Sequence, residues 1–333
     1  MRTEYSYEAE NIEPFCDIYY IDCFYNALFP ILNHWGVDKK VIMGSYVPIL
    51  QKDDEIGAGL TWKCAGTRCD ILKNNGIEES EYLCKQDICE VVKQHLDRDE
   101  LVIVYIDCFY EKGRFDTFMK EHWPHTILIY GYDEISEEFS ILEHTAKENL
   151  DYTPWKIGYG DLVKCYQSLL RLYANDERAT LFCYSRQNDG EGSGSKINSL
   201  ISAFIKNREL FADTAKIVLA FKDKMQELLK DGNAYLAKVQ DVIQLLTDII
   251  NSKYVFEYVM NLFNEEELVA RSELIREKWM AIRNSVVRNS LTNKVTPEFL
   301  MQKLQLLEEI AVDEQELINT IFEKHSGDMS RTF

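Results

Sequence analysis

At residues 186–195 the sequence reads RQNDGEGSGS, and the pattern of apolar residues changes across it. Before it, short β-type runs alternate with helical segments: LVIVYI over 101–106, TILIY over 126–130 and ATLFCY over 179–184. After it, apolar residues recur at three- and four-residue spacing from about Ile197 to about Phe322, with almost no strand signal. Such a change of period, across a stretch with three glycines in five positions, predicts two differently built domains. The expected fold class is α+β: a mixed domain over 1–187, a Gly/Ser linker over 188–195 and an all-α bundle over 196–333. Breaks at Asp231-Gly-Asn, at Asn264-Glu-Glu-Glu and at Thr292 to Pro297 divide the second half into four or five antiparallel helices, and Thr296-Pro-Glu reads as a helix start.

Charge and cysteine content narrow the partners. With 37 basic against 56 acidic residues the net charge is −19, which repels phosphate backbones and anionic lipid, so neither nucleic acid nor a membrane is expected as a partner. The N-terminus, MRTEYSYEAENIEPF, has neither the basic start nor the apolar stretch of a signal peptide, and no apolar run is long enough to cross a bilayer. The expected location is cytoplasmic. Nine cysteines, an odd number, then read as reduced thiols, most of them packed in the core.

One thiol stands apart. Cys23 lies where DIYYID gives way to the apolar helical pattern of Phe24, Ala27, Leu28, Ile31 and Leu32, with Asp22 as N-cap and a stop at Gly36. Pro30 should kink this helix or end it early. A helix N-terminus offers partial positive charge and free N–H groups, which stabilise a thiolate and an oxyanion. About 100 residues downstream, His125 opens a strand after Pro124, where a base can be held at the sheet's margin. That strand ends in Gly131-Tyr-Asp and returns as EFSILE over 138–143, which brings Glu143, or alternatively Asp133, within reach of the imidazole as the third member of a triad.

These motifs, Asp22-Cys23-Phe-Tyr-Asn-Ala-Leu with Gly36, VIVYIDCFY over 102–110 and His125 through Gly-Tyr-Asp133, resemble the N-terminal domain of the butirosin biosynthesis protein H family. The resemblance spans roughly residues 15–185. It implies a papain-like fold of the bacteriocin-processing peptidase type, turned to acyl transfer. Cys23 would be the nucleophile, His125 the base and Glu143 the acid. The donor would be an acyl or peptidyl carrier protein with its own phosphopantetheine, the acceptor a small-molecule amine of an antibiotic precursor, and no further cofactor is expected. The acid is glutamate where related peptidases more often have aspartate, and Asp17 stands where they keep a glutamine oxyanion donor. Backbone N–H groups or Asn26 would then serve the oxyanion. Asn26, Asp107, Tyr25 and Asp17 are the substrate-binding candidates, Asp107 either binding an amine or capping its strand.

Other chemistry-bearing residues have simpler readings. His122 and His144 read as surface histidines near turns. Cys64, Cys69, Cys84 and Cys89 form two C-x4-C pairs, but Cys84 to Cys89 reads as helical core and no metal is expected. Cys16, Cys108, Cys165 and Cys183 read as core thiols, and EIGAGL over 55–60 lacks the strand–turn–helix context of a nucleotide loop. Arg271, Arg276, Lys278, Arg283 and Arg288 are the one candidate basic patch for an acidic carrier, a solvated face being the simpler reading. The helical half also offers itself for homodimer formation. Hydrolysis through the same cysteine, or a noncatalytic binding module, are the competing functions.

Overall fold

The computed structural model describes residues 5–147, 149–174, 176–187, 200–292 and 297–325. The expected linker at 188–195 and the Thr296 helix start lie outside the described residues. The strands are β1 (Ser6–Glu8), β2 (Tyr46–Asp53), β3 (Gly57–Cys64), β4 (Ile77–Tyr82), β5 (Leu101–Asp107), β6 (Pro124–Asp133), β7 (Glu138–Glu143), β8 (Thr153–Gly158) and β9 (Leu181–Arg186). The helices are α1 (Cys23–His34), α2 (Lys40–Met43), α3 (Arg68–Lys73), α4 (Ile88–Leu96), α5 (Tyr159–Leu172), α6 (Leu200–Lys206), α7 (Arg208–Phe211), α8 (Thr214–Lys230), α9 (Gly232–Leu262), α10 (Glu266–Thr292), α11 (Pro297–Lys303) and α12 (Leu306–Lys324).

Mixed α and β structure with a helical C-terminal region is what the chain adopts. It divides into two compact units, Met1–Val41 with Arg68–Lys196, and Ile42–Thr67 with Ile197–Phe333. The division differs from a single cut at 187 by one hairpin. β2 and β3 pair antiparallel from Tyr46↔Cys64 to Asp53↔Gly57 and pack on α8 of the helical unit. The second unit is therefore not all-α.

A close approach seats the hairpin. At Gly57 φ is +93°, and a Cβ there would lie 2.8 Å from the Phe221 Cα of α8, so both backbone and space require glycine. Around it, α8, α9, α10 and α12 bury Phe221, Trp279, Ile282 and Leu307, while the Trp279 indole N–H donates to Glu314, 3.2 Å away, and Glu314 pairs with Lys253. Three cations of the candidate basic patch form ion pairs within this unit, Arg271 with Glu267, Arg276 with Glu257 and Lys278 with Glu309 and Asp313, and Arg283 donates to Thr247.

In the first unit the sheet runs β4-β9-β5-β6-β7-β8, every neighbour antiparallel, and β1 adds to the far part of β6. β5 and β6 are buried along almost their whole length because α1, α4 and α5 pack against them, which accounts for the continuous apolar run of 101–106. α1 forms as its sequence suggests. Asp22 caps it by accepting from the N–H groups of Phe24 and Tyr25, and Gly36 follows it at φ +67°. Pro30 is accommodated and the helix continues to His34, so the expected early end does not occur. Among the described residues no helix is long and apolar enough to cross a membrane.

Candidate active site

Cys23 is the first residue of α1 and partly exposed, so it carries one of the backbone N–H groups that a helix start leaves unpaired. Burial alone would raise its thiol, but His125, by its charge, and the Thr126 hydroxyl beside it bring it below the usual value. Asp22 opposes them. The other cysteines with a shift move up, chiefly through burial: Cys16, Cys84, Cys89, Cys108, Cys165 and Cys183. Cys23 is the one thiol with a depressed value among the described residues.

His125 is fully buried and pairs with Ile106 of β5, so it sits inside the sheet near the strand's start, not on an open margin. Its Nε2 lies 3.2 Å from Glu143 Oε1, which leaves Nδ1 for the thiol. Neither ring nitrogen makes an aligned hydrogen bond, a common state of catalytic groups before substrate arrives. The Trp123 ring stacks on the imidazole with centroids 4.8 Å apart, and the Arg114 guanidinium lies over Trp123.

A β-bulge decides that Glu143 meets His125. Near the turn β6 and β7 pair as Asp133↔Glu138 and Tyr132↔Phe139; beyond the shift between Ile129 and Gly131 they pair as Ile129↔Ile141 and Leu128↔Leu142. Continuing that register sets Glu143 opposite Ile127, on the face His125 shares. Without the extra residue Glu143 would stand opposite Leu128, and the alternation of side chains would turn it to the other face.

The carboxylate is buried in a polar cluster. Glu143 Oε1 accepts from the His144 backbone N–H at 2.7 Å and from Arg114 Nη1 at 3.2 Å, while His144 Nε2 lies 3.6 Å away. Burial lifts the Glu143 carboxyl to about 7 against the pull of Arg114. Arg114, itself fully buried, turns its remaining fork onto Asp116 at 3.2 and 3.3 Å.

The other site candidates fall differently. Asn26 is fully engaged: its Oδ1 accepts from Tyr20 N–H and its Nδ2 donates to Ile18 and Phe15 carbonyls, holding the loop before α1 rather than an oxyanion. Asp107 accepts from Phe109 N–H, Trp123 N–H, Ser168 and His122, and these bonds hold its carboxyl below the usual range despite burial. It caps the end of β5, the second of its two readings. Tyr25 packs in the core against Tyr20 and Phe24. Asp17 is exposed and pairs with Lys39 at 2.9 Å. Asp133 lies at the other end of β6 from His125, capping the turn through Ile135 and Ser136 N–H, and does not substitute for Glu143.

His122 is a surface group on Asp107, as expected, but His144 is 2% exposed and belongs to the site. Its Nδ1 faces the Asn149 carbonyl at 2.9 Å, and burial drops its basicity to about 3. Tyr152 was missed as well: its ring stacks on His144 at 4.6 Å, and its buried hydroxyl has no hydrogen-bond partner among the described residues. Both lie in the loop around β7 and β8, where no periodic signal marks burial. Among the described residues, the group of three metal-capable side chains is His125, Glu143 and His144, and none of the C-x4-C cysteines belongs to it. Neither a protein-family model nor a curated protein matches this sequence.

Proposed function

We propose that the first unit is a papain-like cysteine acyltransferase of the kind its motifs resemble, working through an acyl-enzyme on Cys23. One observation carries the reading: a partly exposed thiol at a helix start, with its acidity raised by a buried histidine whose other nitrogen faces a buried carboxyl. In the proposed cycle the Cys23 thiolate attacks a thioester carbonyl and His125 carries the thiol proton. The donor's thiol leaves with that proton, and an amine then attacks the acyl-enzyme and gives its own proton to His125 as the amide departs. With Asn26 engaged elsewhere, the Cys23 N–H and the Tyr152 hydroxyl are the donors assigned to the oxyanion. An acyl carrier or peptidyl carrier protein is the proposed donor, a small amine the acceptor.

The test is intact-protein mass spectrometry after mixing the protein with a panel of acyl thioesters. An acyl mass on Cys23, cleared on adding amines with formation of the amide, is expected. A free acid in place of the amide would make the enzyme a hydrolase. An adduct formed equally by Cys23→Ala, or no adduct at all, would leave the unit a binding module.

A further inference from the structure

We propose that His125, Glu143 and His144 bind one first-row divalent metal ion of the zinc type, and that the metal-bound and acyl-transfer states exclude one another. No metal was expected from the sequence; the geometry points to one. His125 Nε2 and His144 Nε2 lie 3.2 and 3.6 Å from the same Glu143 oxygen, and the three ligand atoms fall within 4.8 Å of one another. Ligands at zinc bond lengths of about 2.0–2.2 Å in a tetrahedron stand about 3.4 Å apart. The two distances to Glu143 suit a shared ion, and the widest separation must close toward that value as the ion binds.

The hydrogen bonds suit it too. A carbonyl only accepts, so His144 Nδ1, facing Asn149 O at 2.9 Å, carries the ring proton and Nε2 presents a lone pair. The buried His144 Nε2, His125 Nε2 and Glu143 Oε2 have no hydrogen-bond partner among the described residues, while Glu143 Oε1 accepts from the His144 N–H and Arg114. A buried acceptor without a donor calls for a cation or a proton beside it. A metal-binding histidine characteristically gives its second ring N–H to a backbone carbonyl, as His144 does. All three side chains are at most 2% exposed. Arg114 opposes an ion, but its charge is balanced by Asp116.

Coordination at Nε2 would leave the single ring proton of His125 on Nδ1, where it cannot accept the Cys23 proton. This consequence rests on His125 being the base; binding of the ion does not.

The test titrates zinc into the chelator-stripped full-length protein, with a chromophoric competitor and thermal melts. One zinc per chain that raises Tm, weakened at least tenfold in both His144→Ala and His125→Ala, is expected. Zinc bound equally by these variants, or none bound at micromolar free ion, would overturn the site. Should a variant fail to fold, the Co2+ spectrum of the wild type decides: nitrogen and oxygen ligation supports the site, and thiolate-only ligation places the ion on other cysteines and overturns it. Iodoacetamide labelling of Cys23 without metal tests the nucleophile separately, so either idea can fail alone.

Discussion

Cys23 is held more acidic than an ordinary thiol by a balance of opposing effects, and single substitutions should tip it. His125→Ala removes the imidazole that offsets burial, so the thiol should rise above its usual value and iodoacetamide alkylation at neutral pH should slow by about tenfold or more. Asp22→Asn keeps the helix cap while removing the charge that opposes the thiolate. The alkylation profile should then move to lower pH, whereas Asp22→Ala should also cost about 1 kcal/mol of stability. The buried acid and base behind Cys23 set pH effects of opposite sign. His144, neutral in the fold down to about 3, binds fewer protons than in the unfolded chain, so stability is lost as pH falls below 6.5. Glu143, protonated in the fold up to about 7, binds more, so stability falls as pH rises from 4.5 toward 7. Urea midpoints against pH should show Glu143→Gln abolishing the second loss and His144→Asn the first. At this scale the approach of His125 to a thiol at the start of α1 was legible from residue type and spacing. Asn26 and Asp107 were not, because whether a polar side chain faces substrate or backbone depends on loops folding back over it.

Elements differ in how fully local pattern specified them. α1 carried its cap, apolar face and glycine stop in sequence, and β5, β6, β7 and β9 showed as apolar runs. The strands β2, β4 and β8 carry mixed burial that hides their period. The β6 bulge left no mark in the residues either, yet it turns Glu143 toward His125 by shifting the register one residue. Gly131 beside it allows β1 to pair: a Cβ there would stand 2.7 Å from the Tyr7 carbonyl. Gly131→Ala should cost roughly 1–3 kcal/mol, read in chemical denaturation, with the midpoint shifting and the slope preserved.

For the whole molecule, the hairpin of residues 42–67 makes domain boundaries discontinuous. A fragment ending at 187 carries Val47, Ile49 and Ala58 without the helices that cover them, and it should aggregate or lack a cooperative melt. The same fragment with 42–67 replaced by a short Gly/Ser loop should be soluble; equal solubility of both would contradict the division. The sequence by itself determined the α+β character, the change of build near residue 187, the helix start at Cys23 and the His125 strand, because periodicity, capping and β-propensity act over a few residues. Only the tertiary structure decided that the hairpin joins the helical unit, that a bulge aims Glu143, that His144 and Tyr152 are buried at the site, and that Asn26 and Asp107 are not free. Each of these depends on contacts between residues far apart in sequence, where packing and register, rather than local preference, determine which groups meet.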